Sequence, residues 1–296
     1  MKLFVNDLTV MDFSYLCPRR GMVGESWIVD IILDGGLNEE SMVQDFGKVK
    51  KELKHVIDEY VDHKLVVPVD CDGTIITHDD SNERVRVDFS YQHNAHSDLA
   101  SMHLYCPPEA YAFVYATEVT MSSVTRYLKE VIKVHLPENV HEVEILLREE
   151  EISTDFYHYT HGLKKHDGNC QRIAHGHRSK VLIEENGEPS QKWQSYWSER
   201  WADIYIATAE DLVDESELSF KVDAIHPEQY YCFKYHASQG VFEMAIHKSA
   251  CEIINTDSTV ECLAQFMFDE LKLKSDSCFT VRAFEGVGKG AIVSDA

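Results

Sequence analysis

Apolar and polar residues alternate along WIVDIIL (27–33), RVRVDFSY (84–91), YAFVYATEV (111–119), YYCFKYHA (230–237) and VFEMAI (241–246). That period sends successive side chains to opposite faces of a strand, so each run is predicted to be β. A different period governs DFGKVKKELKHVIDEYV (45–61), where Phe46, Val49, Leu53, Val56, Ile57 and Tyr60 fall on one face of a helix. Strands that alternate, mixed with amphipathic helices, indicate an α+β fold with antiparallel sheets. The stretch 188–228, with two tryptophans close together, gives no clear element.

The pattern repeats along the chain. VGESWIVDIILDGG (23–36) and HGHRSKVLIEENGE (175–188) each place glycine second, then a strand-like run, then an acidic-Gly turn. Upstream, FSYLC (13–17) resembles YHYTH (157–161), so Cys17 falls where His161 does. Downstream, TMSSVTRYLKEVI (120–132) resembles TVECLAQFMFDEL (259–271), and strands ending at Glu149 and Glu285 follow. Order and spacing agree across both halves, which predicts two tandem modules, 1–151 and 152–296, joined at the acidic REEEIS stretch. Each reads as a strand hairpin, a helical part, further strands, a helix and a final strand. Between Cys17 and Gly24 lie fewer residues than between His161 and Gly176, and the extra segment of the second module carries Cys170.

Composition narrows the function. A chain of 296 residues with 44% hydrophobic content can bury a sizeable core. Its net charge of -23 argues against nucleic acid or an anionic membrane as partner, because both require a basic surface. Asn6, Asp7 and Asp12 interrupt the apolar start, and no run approaches the length of a membrane span. Eight cysteines without a Cys-x-x-Cys pair favour free thiols in a reducing compartment, so cytoplasmic residence is expected.

The candidate chemistry lies in CQRIAHGHR (170–178). On a strand, His175 and His177 point to one face, and His161, on the run that would pair with it, can add a third imidazole. Three imidazoles with an open fourth position suit catalytic zinc. Sixteen histidines, however, would give roughly one His-x-His by chance, so ordinary core or surface histidines stand as the alternative. A thiol at Cys170, beside a dication and basic residues, would have a lowered pKa and act as base or nucleophile. Lys164, Lys165, Arg172, Arg178 and Lys180 form a local basic island, either a site for a charged substrate or a solvated hairpin tip.

FYHYTHGL…CQRIAHGHRSKV resembles the signature of the 6-pyruvoyl- and 6-carboxy-tetrahydropterin synthase family. GMVGESW, DFGKVKKELKHVID, VDHKL, STVECLA and VRAFE extend the likeness over most of both modules, leaving roughly 70–110 and 188–228 poorly matched. The resemblance implies two tunnelling-fold (T-fold) modules, with helices packed on one face of antiparallel sheets that assemble into a barrel. It implies Zn2+ held by His161, His175 and His177, with Cys170 as catalytic base and Asp62–His63 as proton relay. The first module carries Cys17, Val23 and Glu25 where the metal ligands would be, while the second has no Asp-His dipeptide, so each half holds what the other lacks. Glu285, with Glu149 as its counterpart, matches the pterin-anchoring acid, and Thr259 and Glu261 match residues near the pterin. Arg172, Arg178 and Lys180 are candidates for a triphosphate. The implied activity is a lyase acting on 7,8-dihydroneopterin triphosphate. Four residues separate Cys170 from His-Gly-His, between the spacings of the two branches; the 6-carboxy product of the deazapurine (queuosine) route is the preferred reading, with the 6-pyruvoyl product or a non-catalytic pterin-binding relative as alternatives. A homo-oligomer, a dimer or dimer-based assembly with sites between modules, is expected.

Overall fold

The computed structural model describes residues 1–79, 81, 83–93, 98–221 and 227–295. Each module is built on a long antiparallel hairpin. In the first, strand Lys2–Cys17 pairs with Gly21–Gly35, and Val140–Glu149 extends the sheet on the outer side. Leu65–Pro68 and Tyr111–Val114 add to the other edge in parallel, so the antiparallel hairpin carries two parallel neighbours. Between these two parallel strands the chain passes through Thr74–His78, Val85–His93 and Asp98–Cys106, a long crossover of the kind that parallel pairing requires. The second module repeats this arrangement with Phe156–His161, His175–Glu185 and Phe279–Phe284 antiparallel and Ile204–Thr208 parallel to the first of them.

Helices Phe46–Tyr60 and Met121–Lys133 pack on the first sheet. Val49, Leu53, Val56 and Ile57 bury against Phe13, Trp27, Val29 and Ile31, as the 3.6-residue period predicts. Phe46 departs from the expectation: it is exposed because it is the first helical residue, beyond the end of the covered sheet face. The expected strand 111–119 stops at Val114; a turn follows, and Thr120 caps the next helix by exchanging hydrogen bonds with Ser123.

The tryptophan-bearing stretch contains a helix, Gln191–Arg200. Trp193, Trp197 and Trp201 are spaced by four and share one buried face, stacked toward Val260–Lys274 and the second sheet. Few aliphatic residues accompany them, which hides the helical period in the sequence.

A third sheet belongs to neither module alone. Its order is Leu212–Val213, Tyr230–Ala237, Gly240–His247, Asp98–Cys106, Val85–His93, Thr74–His78, three strands from each half. The halves meet where Gly240–His247 pairs antiparallel with Asp98–Cys106. One face buries Phe89, Met102, Leu104, Phe233, Phe242 and Met244 against Leu16, Leu65, Ile173 and Tyr205 of the two hairpin modules. The other face carries a hydrogen-bonded chain from Asp88 to His103, Ser101 and Tyr230 that also crosses the join.

The two long hairpins cross at glycines. A β-carbon on Gly24 would lie 1.9 Å from the Tyr159 carbonyl oxygen, and one on Gly176 would lie 2.7 Å from the Gly24 Cα. Only glycine permits this approach, and Ser14 Oγ and Thr160 Oγ1 bond across it at 2.8 Å.

Candidate active site

Register places the imidazoles. His175 lies directly opposite His161 in the second hairpin, and His177 is two residues further along the same face. All three are almost wholly buried, and one nitrogen of each lies within 4.8 Å of the others. His161 Nδ1 donates to the Ser258 carbonyl at 2.9 Å, and His175 Nδ1 donates to the Arg172 carbonyl at 3.1 Å. A carbonyl can only accept, so both protons sit on Nδ1 and both Nε2 lone pairs turn inward. His177 Nδ1 approaches Asp12 Oδ1 at 3.2 Å without the alignment of a hydrogen bond. Its Nε2 then faces His161 Nε2 at 3.2 Å, while His175 Nε2 has no protein partner. Burial first, and then the neighbouring imidazoles, hold His161 and His175 well below the usual histidine range. His175 Nε2, buried without a protein partner, converges with the facing Nε2 atoms of His161 and His177 in a dry site, and this set of three imidazole donors fits a zinc ion.

Asp62 and His63 follow the helix Phe46–Tyr60. His63 adopts a left-handed backbone, φ 55°, fixed by its N–H donating to the Asp12 carbonyl at 2.8 Å. Asp62 Oδ1 accepts the Asp12 N–H at 2.7 Å, and its Oδ2 lies 2.8 Å from His63 Nδ1. The His63 ring centroid is 5.2 Å from that of His175, although the two belong to different modules. Burial opposes protonation of His63, but the Asp62 carboxylate and the neighbouring Cys170 outweigh it and raise the imidazole to about 10. His63, Cys170 and His175 thus form a contiguous group, with ligand atoms within 4.8 Å.

Cys170 lies in a single 3-10 turn, Asn169–Gln171, within the segment that the second module has in excess. The turn is clamped by the third sheet. Buried Gln171 accepts the Gln239 N–H through Oε1 at 2.7 Å, and its carbonyl accepts the Tyr235 hydroxyl at 2.7 Å. Gln239 in turn holds Arg172 Nε at 3.0 Å and Asn169 Oδ1 at 2.7 Å.

The other residues singled out in the sequence divide into two groups. Glu285 joins the cluster, its Oε1 3.9 Å from His177 Nε2, and Arg172 reaches the His63 carbonyl at 3.5 Å. Thr259 caps the helix Val260–Lys274 beside Ser258, and Glu261 is exposed in its first turn. Arg178 and Lys180 do not join the cluster. Strand alternation turns them away from His175 and His177, and they pair with Glu149 and Glu150 instead. Glu149 therefore lies with Arg178, apart from the imidazoles. Lys164 and Lys165 are likewise neutralised by Glu210, Asp211 and Asp257, so the basic island is largely paired. Asp12, Ser258 and Gln239 were not recognised in the sequence. For Asp12 a signal existed, a carboxylate inside an apolar strand run, whereas the other two act through long-range contacts.

Two fused hairpin-and-helix modules, one contributing converging imidazoles and the other an Asp-His pair, define a tandem T-fold protein. A sequence profile described as 6-pyruvoyl tetrahydropterin synthase matches residues 17–154 and again 150–295, and the chain belongs to that family. Among solved structures, the 6-pyruvoyl tetrahydropterin synthase of Plasmodium vivax is similar at 16% identity, with a TM-score of 0.39, covering 52% of this chain and 93% of that one. That of Plasmodium falciparum is similar at 15% identity, with a TM-score of 0.37, covering 50% and 90%. Among curated proteins, no sequence matches this chain.

Proposed function

We propose that the chain is a zinc-dependent lyase acting on 7,8-dihydroneopterin triphosphate. The observation that carries this reading is the approach of Cys170 Sγ to the His63 imidazole, within 4.8 Å, beside three inward-facing imidazole nitrogens. His161, His175 and His177 would hold the ion. Bound there, zinc would supply Lewis acidity toward side-chain oxygens of the substrate. A Cys170 thiolate, stabilised by protonated His63, removes the proton from the adjacent carbon. His63, oriented by Asp62, then serves as the acid that returns a proton. Glu285 accepts the amino and ring N–H groups of a pterin. Arg172 reaches the His63 carbonyl at 3.5 Å, and burial and then Arg172 lower Lys64 to about 8.

The preferred product is the 6-carboxy form, on the route to a deazapurine. The description of the matching family favours the 6-pyruvoyl form as a second reading. The Asp62–His63 pair meets Cys170 within one chain, so this contact does not require a partner subunit. A dimer-based assembly remains part of the proposal through the family's barrel-forming habit. Among the described residues no helix is long and apolar enough to cross a membrane.

Mass spectrometry of products from the triphosphate substrate, with zinc-loaded protein, tests the reading and separates the two products. Cys170→Ala is expected to abolish turnover while retaining zinc. Turnover equal to that of the unaltered protein would overturn the mechanism.

A further inference from the structure

Asp12 touches both halves of the site. Its carboxylate is almost fully buried and faces His177 Nδ1 at 3.2 Å. Ser26 Oγ donates to it at 2.5 Å, and Lys289 Nζ lies at 3.0 Å. Its own N–H and carbonyl bind Asp62 and His63. One residue of the first module therefore contacts a candidate metal ligand through its side chain and the acid–base pair through its backbone.

We propose that Asp12 is a positioning residue for zinc, its carboxylate holding His177 with Nε2 turned toward the ion while its backbone sets the distance to Asp62 and His63. The proposal rests on the zinc reading above. A carboxylate behind a ligating imidazole fixes the ring's tautomer and orientation and increases its basicity.

The internal repeat supplies a control. Aligning FSYLC with YHYTH puts Phe156 at the position of Asp12, and aligning VGESW with HGHRS puts Glu25 at the position of His177. Where the imidazole is kept, a carboxylate faces it. The first copy holds Glu25 at the imidazole position, and the second copy's counterpart of Asp12 is the phenyl ring of Phe156, so this position presents no second carboxylate to that glutamate. The hairpin thus tolerates an apolar residue at this position, which ties the aspartate to the imidazole rather than to the fold.

The test compares Asp12→Asn with Lys289→Met. Zinc affinity is read by chelator competition, geometry by the visible absorption of the cobalt-substituted protein, and folding by the melt of the metal-free protein. Asp12→Asn is expected to weaken zinc binding about 10- to 100-fold and to shift the cobalt bands. Lys289→Met, which removes the cation that competes with His177 for the carboxylate, is expected to keep or tighten affinity. Should Asp12→Asn fail to fold, Ser26→Ala removes the hydroxyl that aims the carboxylate and is expected to weaken zinc in the same direction. Unchanged affinity in Asp12→Asn overturns the proposal, as does equal weakening by Lys289→Met, which would make Asp12 merely the lysine's ion-pair partner. A wild-type protein that takes up no zinc overturns the zinc reading itself.

Discussion

Gly176 lies against Gly24 so closely that a β-carbon on it would come within 2.7 Å of the other glycine's Cα. The two hairpins are thereby joined at backbone contact, and the strand that carries His175 and His177 is held against the first module next to the residues that lead into Asp12. Assembly of the site follows from this crossing, since neither hairpin alone brings the imidazoles to the Asp-His pair.

Gly24→Ala should therefore be severely destabilising. The clashing partner is a carbonyl oxygen, which cannot rotate away as a side-chain end could. A loss of about 3 kcal/mol or more is expected, at the upper end for overpacked cores. Urea denaturation checks it, and a midpoint within error of wild type would show that the hairpins can separate without cost.

His63→Ala is expected to lower kcat by about 10²- to 10⁴-fold, the usual range for losing a general acid or base. Zinc content should not change, because the three imidazoles keep their own backbone carbonyl and carboxylate partners. Metal analysis beside steady-state kinetics separates the two effects; a parallel fall in zinc would place His63 among the ligands instead.

Glu25 gives a pH-dependent stability. Burial is the main cause that raises its carboxyl to about 7, with the nearby Glu149 adding to it and the Ser26 N–H opposing it. The folded state then binds the proton more tightly than the unfolded chain, so stability falls as pH rises from about 4.5 to 7 and levels off above. Glu25→Gln should remove that dependence. Its advantage over wild type should grow across this window to the order of 3 kcal/mol. Melts at pH 5 and pH 8 measure it, and a difference that does not change between them would show that Glu25 titrates normally.

Gln239→Ala is expected to loosen the turn that carries Cys170. It removes the side-chain bonds to Arg172 and Asn169 but leaves the backbone N–H that Gln171 accepts. A fall of about tenfold in kcat, with a small change in melting temperature, would follow from mispositioning the thiol. Cysteine alkylation should become faster in the same variant if the turn opens.

The sequence by itself determined the repeat, the helices Phe46–Tyr60, Met121–Lys133 and Val260–Lys274, and the one-face placement of His175 and His177. These depend on local periodicity, which the backbone imposes wherever the residues are read. Period two also held the fact that Arg178 and Lys180 face away from the imidazoles, though charge counting along the segment obscured it. Tertiary structure alone decided the rest. The third sheet pairs Asp98–Cys106 with Gly240–His247 across more than a hundred residues, and nothing in either strand names its partner. The same holds for Asp12, whose carboxylate looks like an interruption in an apolar run until the glycine crossing puts His177 against it. A side chain's type and direction are local properties, but what it faces depends on how the whole chain packs.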